Sequence, residues 1–160
     1  MKRLEIKALY AAPEQYAGEE VTVCGWARTI RDSKSIGFIE LTDGSGFRGL
    51  QIVFEESKLA NYKAIAKQGV GAAFVVRGTV VLTPQAKQPL EVHAASVFVE
   101  GTSASDYPLQ KKRHSLEFLR SIAHLRPRTN TFNAVFRVRS VAAFAIHRFF
   151  NENGFVYAHT

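Results

Sequence analysis

Arg31 and Phe38 are the two residues of this chain whose types and spacing point most directly to chemistry. They flank a polar turn, so the first ends one strand and the second lies on the next. An aromatic exposed on a sheet can stack on a nucleobase, and an arginine beside it can pair with a phosphate or a base edge. The opposing expectation is that Phe38 is core, because strand aromatics are more often packed than exposed. Gly44-Ser45-Gly46-Phe47-Arg48-Gly49 has G-x-G-x-x-G spacing. A phosphate-binding loop of that kind opens a helix, whereas here a strand follows, so a hairpin loop is expected. The run Lys111-Lys112-Arg113 could meet an RNA backbone or could simply be a solvated face. Cys24, the single cysteine, lies beside Gly25 in a strand pattern and reads as a small buried residue. The five histidines, at 93, 114, 124, 147 and 159, have no ligand spacing with cysteines or carboxylates, so no metal is expected. No nucleophile elbow, Walker loop or paired-carboxylate pattern is present, and no catalytic residue is expected in this chain.

The elements that must position these residues follow from periodicity. Val21, Val23, Gly25 and Trp26 begin an alternating pattern that reaches Ile30; Ile36–Leu41 and Leu50–Phe54 are two further strands. Polar turns at 31–35 and 42–46 separate them. Ser57 is a candidate N-cap for a helix over 59–68, with Leu59, Tyr62, Ile65 and Ala66 on one side and Gly69 at its end. Strands over 72–82 and 90–99 come next, separated by a loop whose Pro84 and Pro89 keep it out of the ladder. Three strands, a helix and two strands is the order of an OB-fold, a five-stranded Greek-key barrel that commonly binds oligonucleotides. SH3-like barrels share the strand count, and the helix after the third strand favours the OB-fold. Residues 101–106 are small and polar and read as a linker. The pattern then turns helical: 114–125, a break at Pro127, and a long helix over 131–153 with a wide stripe of Phe, Val and Ile, closed by Gly154. Phe155-Val156-Tyr157 would start a strand. The domains expected are therefore 1–100, a hinge at 101–113, and 114–160.

The 160 residues carry 21 Lys+Arg against 14 Asp+Glu, a formal charge of +7, with 46% apolar residues. That apolar content excludes a disordered chain, and no run approaches the roughly 20 residues needed to span a bilayer. Lys2, Arg3, Glu5 and Lys7 interrupt any secretory apolar segment, so a soluble cytoplasmic protein is expected. Residues 1–100 contain 12 Lys+Arg and 11 Asp+Glu; residues 101–160 contain 9 and 3. The charge suggests nucleic acid as the partner. Its distribution suggests that a base-reading barrel relies on stacking and a few polar contacts, while the hinge meets the backbone.

Val23-Cys24-Gly25-Trp26-Ala27-Arg28-Thr29-Ile30-Arg31-Asp32, with Gly37-Phe38-Ile39-Glu40-Leu41 and Asp43-Gly44-Ser45, resembles the anticodon-binding barrel of class IIb aminoacyl-tRNA synthetases. The stretches 84–91, 106–120 and 123–132 resemble the bacterial asparaginyl branch; the barrel motifs alone would also suit an aspartyl-type relative. The resemblance covers essentially the whole chain. It implies a ligase that joins asparagine to tRNA-Asn through an adenylate, using ATP and Mg2+, in a homodimer. It implies that Phe38 stacks on the middle anticodon uridine, that Arg31 and Gln51 are its polar neighbours, and that Glu91 lies near the first anticodon base. Residues 137–160 resemble the first motif of a class II α+β catalytic domain, a dimer-interface element. The motifs that hold ATP and the amino acid are absent, so this chain is expected to bind none of the cofactors itself. A truncated start of such a domain is one expectation; a stand-alone tRNA- or single-strand-binding module, or a structural subunit that docks through 131–160, are the others. The uncovered apolar stripe favours truncation.

Overall fold

Runs rich in Val, Ile, Phe and Thr build the first part of the chain because branched and aromatic side chains fit a pleated, half-buried surface. A computed structural model describes residues 3–159; Lys2, among the charges noted above, and Thr160 lie outside the described residues. The elements are α1 (Ile6–Ala11), a 3-10 turn (Pro13–Tyr16), β1 (Glu20–Ser33), β2 (Ile36–Thr42) and β3 (Leu50–Glu55). They continue with α2 (Tyr62–Ala66), β4 (Ala73–Leu82), β5 (Leu90–Gly101), α3 (Leu116–Ser121), a 3-10 turn (Arg126–Arg128) and α4 (Asn130–Glu152). Two compact units result, residues 1–113 and 114–160, and the segment 101–113 lies in the first.

The five strands close into a barrel in the order β1-β2-β3-β5-β4, the OB-fold expected from the element order. β1 serves two partners: Glu20–Trp26 pairs with β4, and Trp26–Ser33 pairs with β2. A register shift between Ala27 and Thr29 bends the strand where it changes partner. The parallel pairing of Gln51–Val53 with Glu91–His93 closes the barrel. Leu41, Leu50, Ile52, Phe54, Phe74, Val76, Leu90 and Val92 fill its interior, each at or near zero exposure. α1 was not legible as a helix in the sequence, yet Ile6 and Leu9 belong to this core. Asp43 in the β2–β3 loop accepts from the Ile6 N–H at 2.8 Å and so caps a helix whose preceding residue, Glu5, makes no side-chain cap.

Several boundaries differ from expectation. β1 runs through Arg31 to Ser33, and the turn shrinks to Lys34-Ser35, with Lys34 at φ +70°. The helix expected over 59–68 is only Tyr62–Ala66, and Asn61, not Ser57, precedes it. Asn61 is spent on the barrel instead, donating to the Val97 carbonyl at 2.8 Å. Tyr62 donates to Asp32 at 2.5 Å and its ring lies 5.0 Å from Phe54, so α2 is held to the barrel end opposite α1. Cys24 is half-buried rather than core, because strand alternation aims Val23 inward and its neighbour outward.

In the second unit, α3 spans Leu116–Ser121 rather than 114–125, starting where Ser115 Oγ accepts from the Phe118 N–H. α4 begins at Thr129, whose hydroxyl accepts from the Phe132 N–H, and Arg126 lies 4.8 Å over the Phe132 ring. It ends in a Schellman motif: Phe155 N–H donates to Phe150 O, Gly154 N–H to Asn151 O, and Gly154 takes φ +83°. The Phe150 and Phe155 rings meet edge-on at 5.3 Å. Phe155 thus belongs to the helix cap, and residues 155–157 form no strand. No residue of α4 is buried, and Val138, Val141, Phe144 and Phe149 are each more than 60% exposed. No helix among the described residues is long and apolar enough to cross a membrane.

Candidate nucleic-acid interface

Strand alternation decides which side chains leave the barrel. Gly37 and Ile39 point inward, so Phe38 between them points out and is half-buried. Gly37 has to lack a side chain, since a Cβ there would collide with the Phe54 ring. Across the ladder, Phe38 pairs with Arg31 on β1 and Val53 on β3, and Val53 pairs with His93 on β5. The next row joins Glu40 to Gln51 and Gln51 to Glu91. The four residues named from the sequence as candidates for base reading therefore lie on one outer face, in two adjacent rows, and Phe38 is not core.

Their contacts are specific. The Arg31 guanidinium lies 5.7 Å from the Phe38 ring centroid, a cation–π distance. Gln51 Nε2 donates to Glu91 Oε2 at 2.9 Å. His93 Nε2 lies 2.8 Å from Glu91 Oε1, so both carboxylate oxygens have partners while the group is only 15% exposed. Such a carboxylate accepts from N–H groups on the edge of a base, and the Gln51 carbonyl oxygen can accept as well. Phe38 offers the stacking surface and Arg31 the positive charge. His93 was missed in the sequence, where histidines were weighed only as metal ligands. Its signal was its position two residues after Glu91, which puts both on one side of the strand.

Other candidates fall elsewhere. Gly44–Gly49 is the β2–β3 hairpin loop, as the following strand required. Asp43 Oδ1 accepts from both the Ser45 N–H and its hydroxyl, and Ser45 Oγ accepts from the Lys7 N–H. Burial opposes ionisation of Asp43, but these hydrogen bonds and that from Ile6 outweigh it and hold the carboxyl below its usual range. Lys111, Lys112 and Arg113 are exposed at the end of the first unit, outside regular structure. Among the described residues, no group of three or more His, Cys, Asp and Glu side chains comes together that could hold a metal ion.

Comparison with known proteins places this geometry. Residues 21–100 match the model of the OB-fold nucleic acid binding domain of the tRNA anti-codon type. Over all 160 residues the chain is 62% identical to the asparagine–tRNA ligase of Acetivibrio thermocellus and 58% identical to that of Clostridium tetani. It spans about a third (34%) of the length of these curated relatives. Among solved structures, asparaginyl-tRNA synthetase from Pyrococcus horikoshii with asparaginyl-adenylate superposes over 99% of this chain and 37% of its own, with TM-score 0.86 and 22% identity. Aspartyl tRNA synthetase from Entamoeba histolytica covers 100% of this chain and 39% of its own, with TM-score 0.84 and 21% identity. At such identities the two structures speak for the fold alone. A closed five-stranded barrel with an outward aromatic–arginine pair, matched across 80 residues by the family model, makes this chain a member of the OB-fold nucleic acid binding domain family.

Proposed function

We propose that this chain is the anticodon-reading N-terminal part of an asparagine–tRNA ligase, and that its outer β1-β2-β3-β5 face binds the tRNA-Asn anticodon. One observation carries this reading: Arg31, Phe38, Gln51 and Glu91 share that face in two paired rows, in a chain 62% identical throughout to an asparagine–tRNA ligase. Phe38 stacks on the middle base. Arg31 supplies charge beside the stack, and Gln51 with the Glu91 carboxylate meets base N–H groups and carbonyls next to it. Lys111, Lys112 and Arg113 contact the tRNA backbone. The parent enzyme is a cytoplasmic homodimer that forms asparaginyl-tRNA from ATP, asparagine and tRNA, with AMP and pyrophosphate as products. ATP and Mg2+ are held by parts of the relatives' length that this chain does not span, and no step of that chemistry is assigned to residues here.

The test is equilibrium binding of the chain to a hairpin bearing the asparagine anticodon and to one with the middle base exchanged. Phe38→Ala should weaken the first by roughly 5–150-fold, the equivalent of about 1–3 kcal/mol of stacking. Equal binding of both hairpins by the wild type would overturn anticodon reading. Neutralising Lys111, Lys112 and Arg113 should shallow the salt dependence without changing which hairpin is preferred.

A further inference from the structure

A second aromatic and cationic site lies at the end of the face just described. α1 and the β2–β3 loop enclose an open cleft of about 320 Å3, lined by Lys7, Tyr10, Phe47 and Arg48 with Ile6 and Gly46. That volume is in the range of small-molecule sites, roughly 300–1,000 Å3. The Arg48 guanidinium lies 5.7 Å from the Tyr10 ring centroid, and Tyr10 is itself fixed by donating to Gly49 O at 2.8 Å. Phe47 is 48% exposed despite its size. Lys7 shares its charge with Glu5 at 3.0 Å, whereas Arg48 makes no ion pair among the described residues.

The cleft is continuous with the candidate base-reading face. Gln51 pairs with Glu40, whose carboxylate lies 4.0 Å from Arg28 Nη1, and that nitrogen donates to Phe47 O at 3.4 Å. Gly49, which carries the Tyr10 hydrogen bond, is two residues before Gln51, about 7 Å along β3. Nothing in the capping role of the loop needs Phe47 or Arg48; Asp43 and Ser45 perform it.

We infer that this cleft is an accessory RNA subsite, which takes one nucleotide flanking those on the β1-β2-β3-β5 face. Arg48, braced by Tyr10, pairs with its phosphodiester, and Phe47 covers its base. Lys7 adds positive charge at the rim. The subsite is indifferent to base identity, because stacking and phosphate contact read no hydrogen-bonding edge. The inference rests on the proposed use of that face by the same strand.

The test uses the full chain and the two hairpins above. Arg48→Gln, which keeps a polar donor but is shorter and loses the charge, should weaken both hairpins about 5–10-fold near 0.1 M salt and reduce the salt slope by roughly 0.7–0.9, one phosphate. Phe47→Ala should weaken both at least ~5-fold and leave the slope unchanged. Thermal melts confirm that each variant is folded, and Phe47→Tyr, which preserves the ring, should restore binding. Unchanged affinity and slope in both folded variants would overturn the subsite, as would a change in preference between the hairpins. If Phe38→Ala has no effect while Arg48→Gln weakens binding, the cleft stands and the reading of the face fails. If the reverse holds, only the cleft is lost.

Discussion

β3 and α4 are both dense in large apolar residues and meet opposite fates. In β3, Leu50, Ile52 and Phe54 are fully buried and Val53 is nearly so, while Gln51 and Glu55 carry polar side chains to the outer face. In α4, Phe144, Val141 and Phe149 are more than 60% exposed and no residue is buried. The difference is closure. A barrel brings residues distant in sequence round to complete its own interior, and β3 finds β2 on one side and β5 on the other. A single helix exposes its whole circumference unless another element covers one stripe. The apolar character of α4 is therefore a property of its pattern, and its burial would depend on a partner surface.

The largest expected effect tests that contrast directly. Phe54→Ala empties the centre of the barrel and should cost about 3–5 kcal/mol, read as a shift in denaturant midpoint. Phe144→Ala, equal in chemistry, should change the stability of this chain by less than about 0.5 kcal/mol. Similar losses for both would show that α4 is buried in solution. Next in size is the cap of α1. Asp43→Ala removes the acceptor for the Ile6 and Ser45 N–H groups and should cost about 1 kcal/mol, with faster amide exchange over residues 6–11. Because the folded carboxyl is held below its ordinary value of 3.8, its contribution should be intact above that pH and fade as the pH falls through the lower folded value. Asp43→Asn should flatten that part of the acid profile.

The smallest effect lies at the other end of the barrel. Burial, then the hydrogen bond to Asp32 and the Asp32 and Glu56 charges, push the Tyr62 phenol from 10.0 up to about 12. The folded state thus keeps a proton that the unfolded chain releases. Stability from this group should be complete below pH 10 and decline between about 10 and 12. Tyr62→Phe should show a shallower alkaline decline than the wild type; identical slopes would show that the fold does not raise the Tyr62 pKa.

The five strands and the long helix were legible in the sequence because each is a local repeat of period 2 or 3.6, and the loop carrying Pro84 and Pro89 because proline cannot join a ladder. α1 was not: six residues are too few to show a period, and its burial depends on a capping aspartate 37 positions away. Nor was the hydrogen bond from Asn61, just before α2, to a carbonyl of β5 legible, since 36 positions separate them. The site was half legible. Phe38 and Arg31 stood out by type, while Gln51 and Glu91 entered only through resemblance, because 40 positions separate them and only the parallel β3–β5 pairing makes them neighbours.

By itself, then, the amino-acid sequence determined the periods, the turn positions, the charge bias toward residues 101–160 and the kinship of the chain, since all of these are functions of residue order alone. Tertiary structure decided the rest. Which side of each strand faces solvent depends on barrel closure, which residues meet across strands depends on register, and which apolar stripe is buried depends on what closes over it. Those are long-range pairings, whose energy depends on positions far apart in the chain, and no local window contains them.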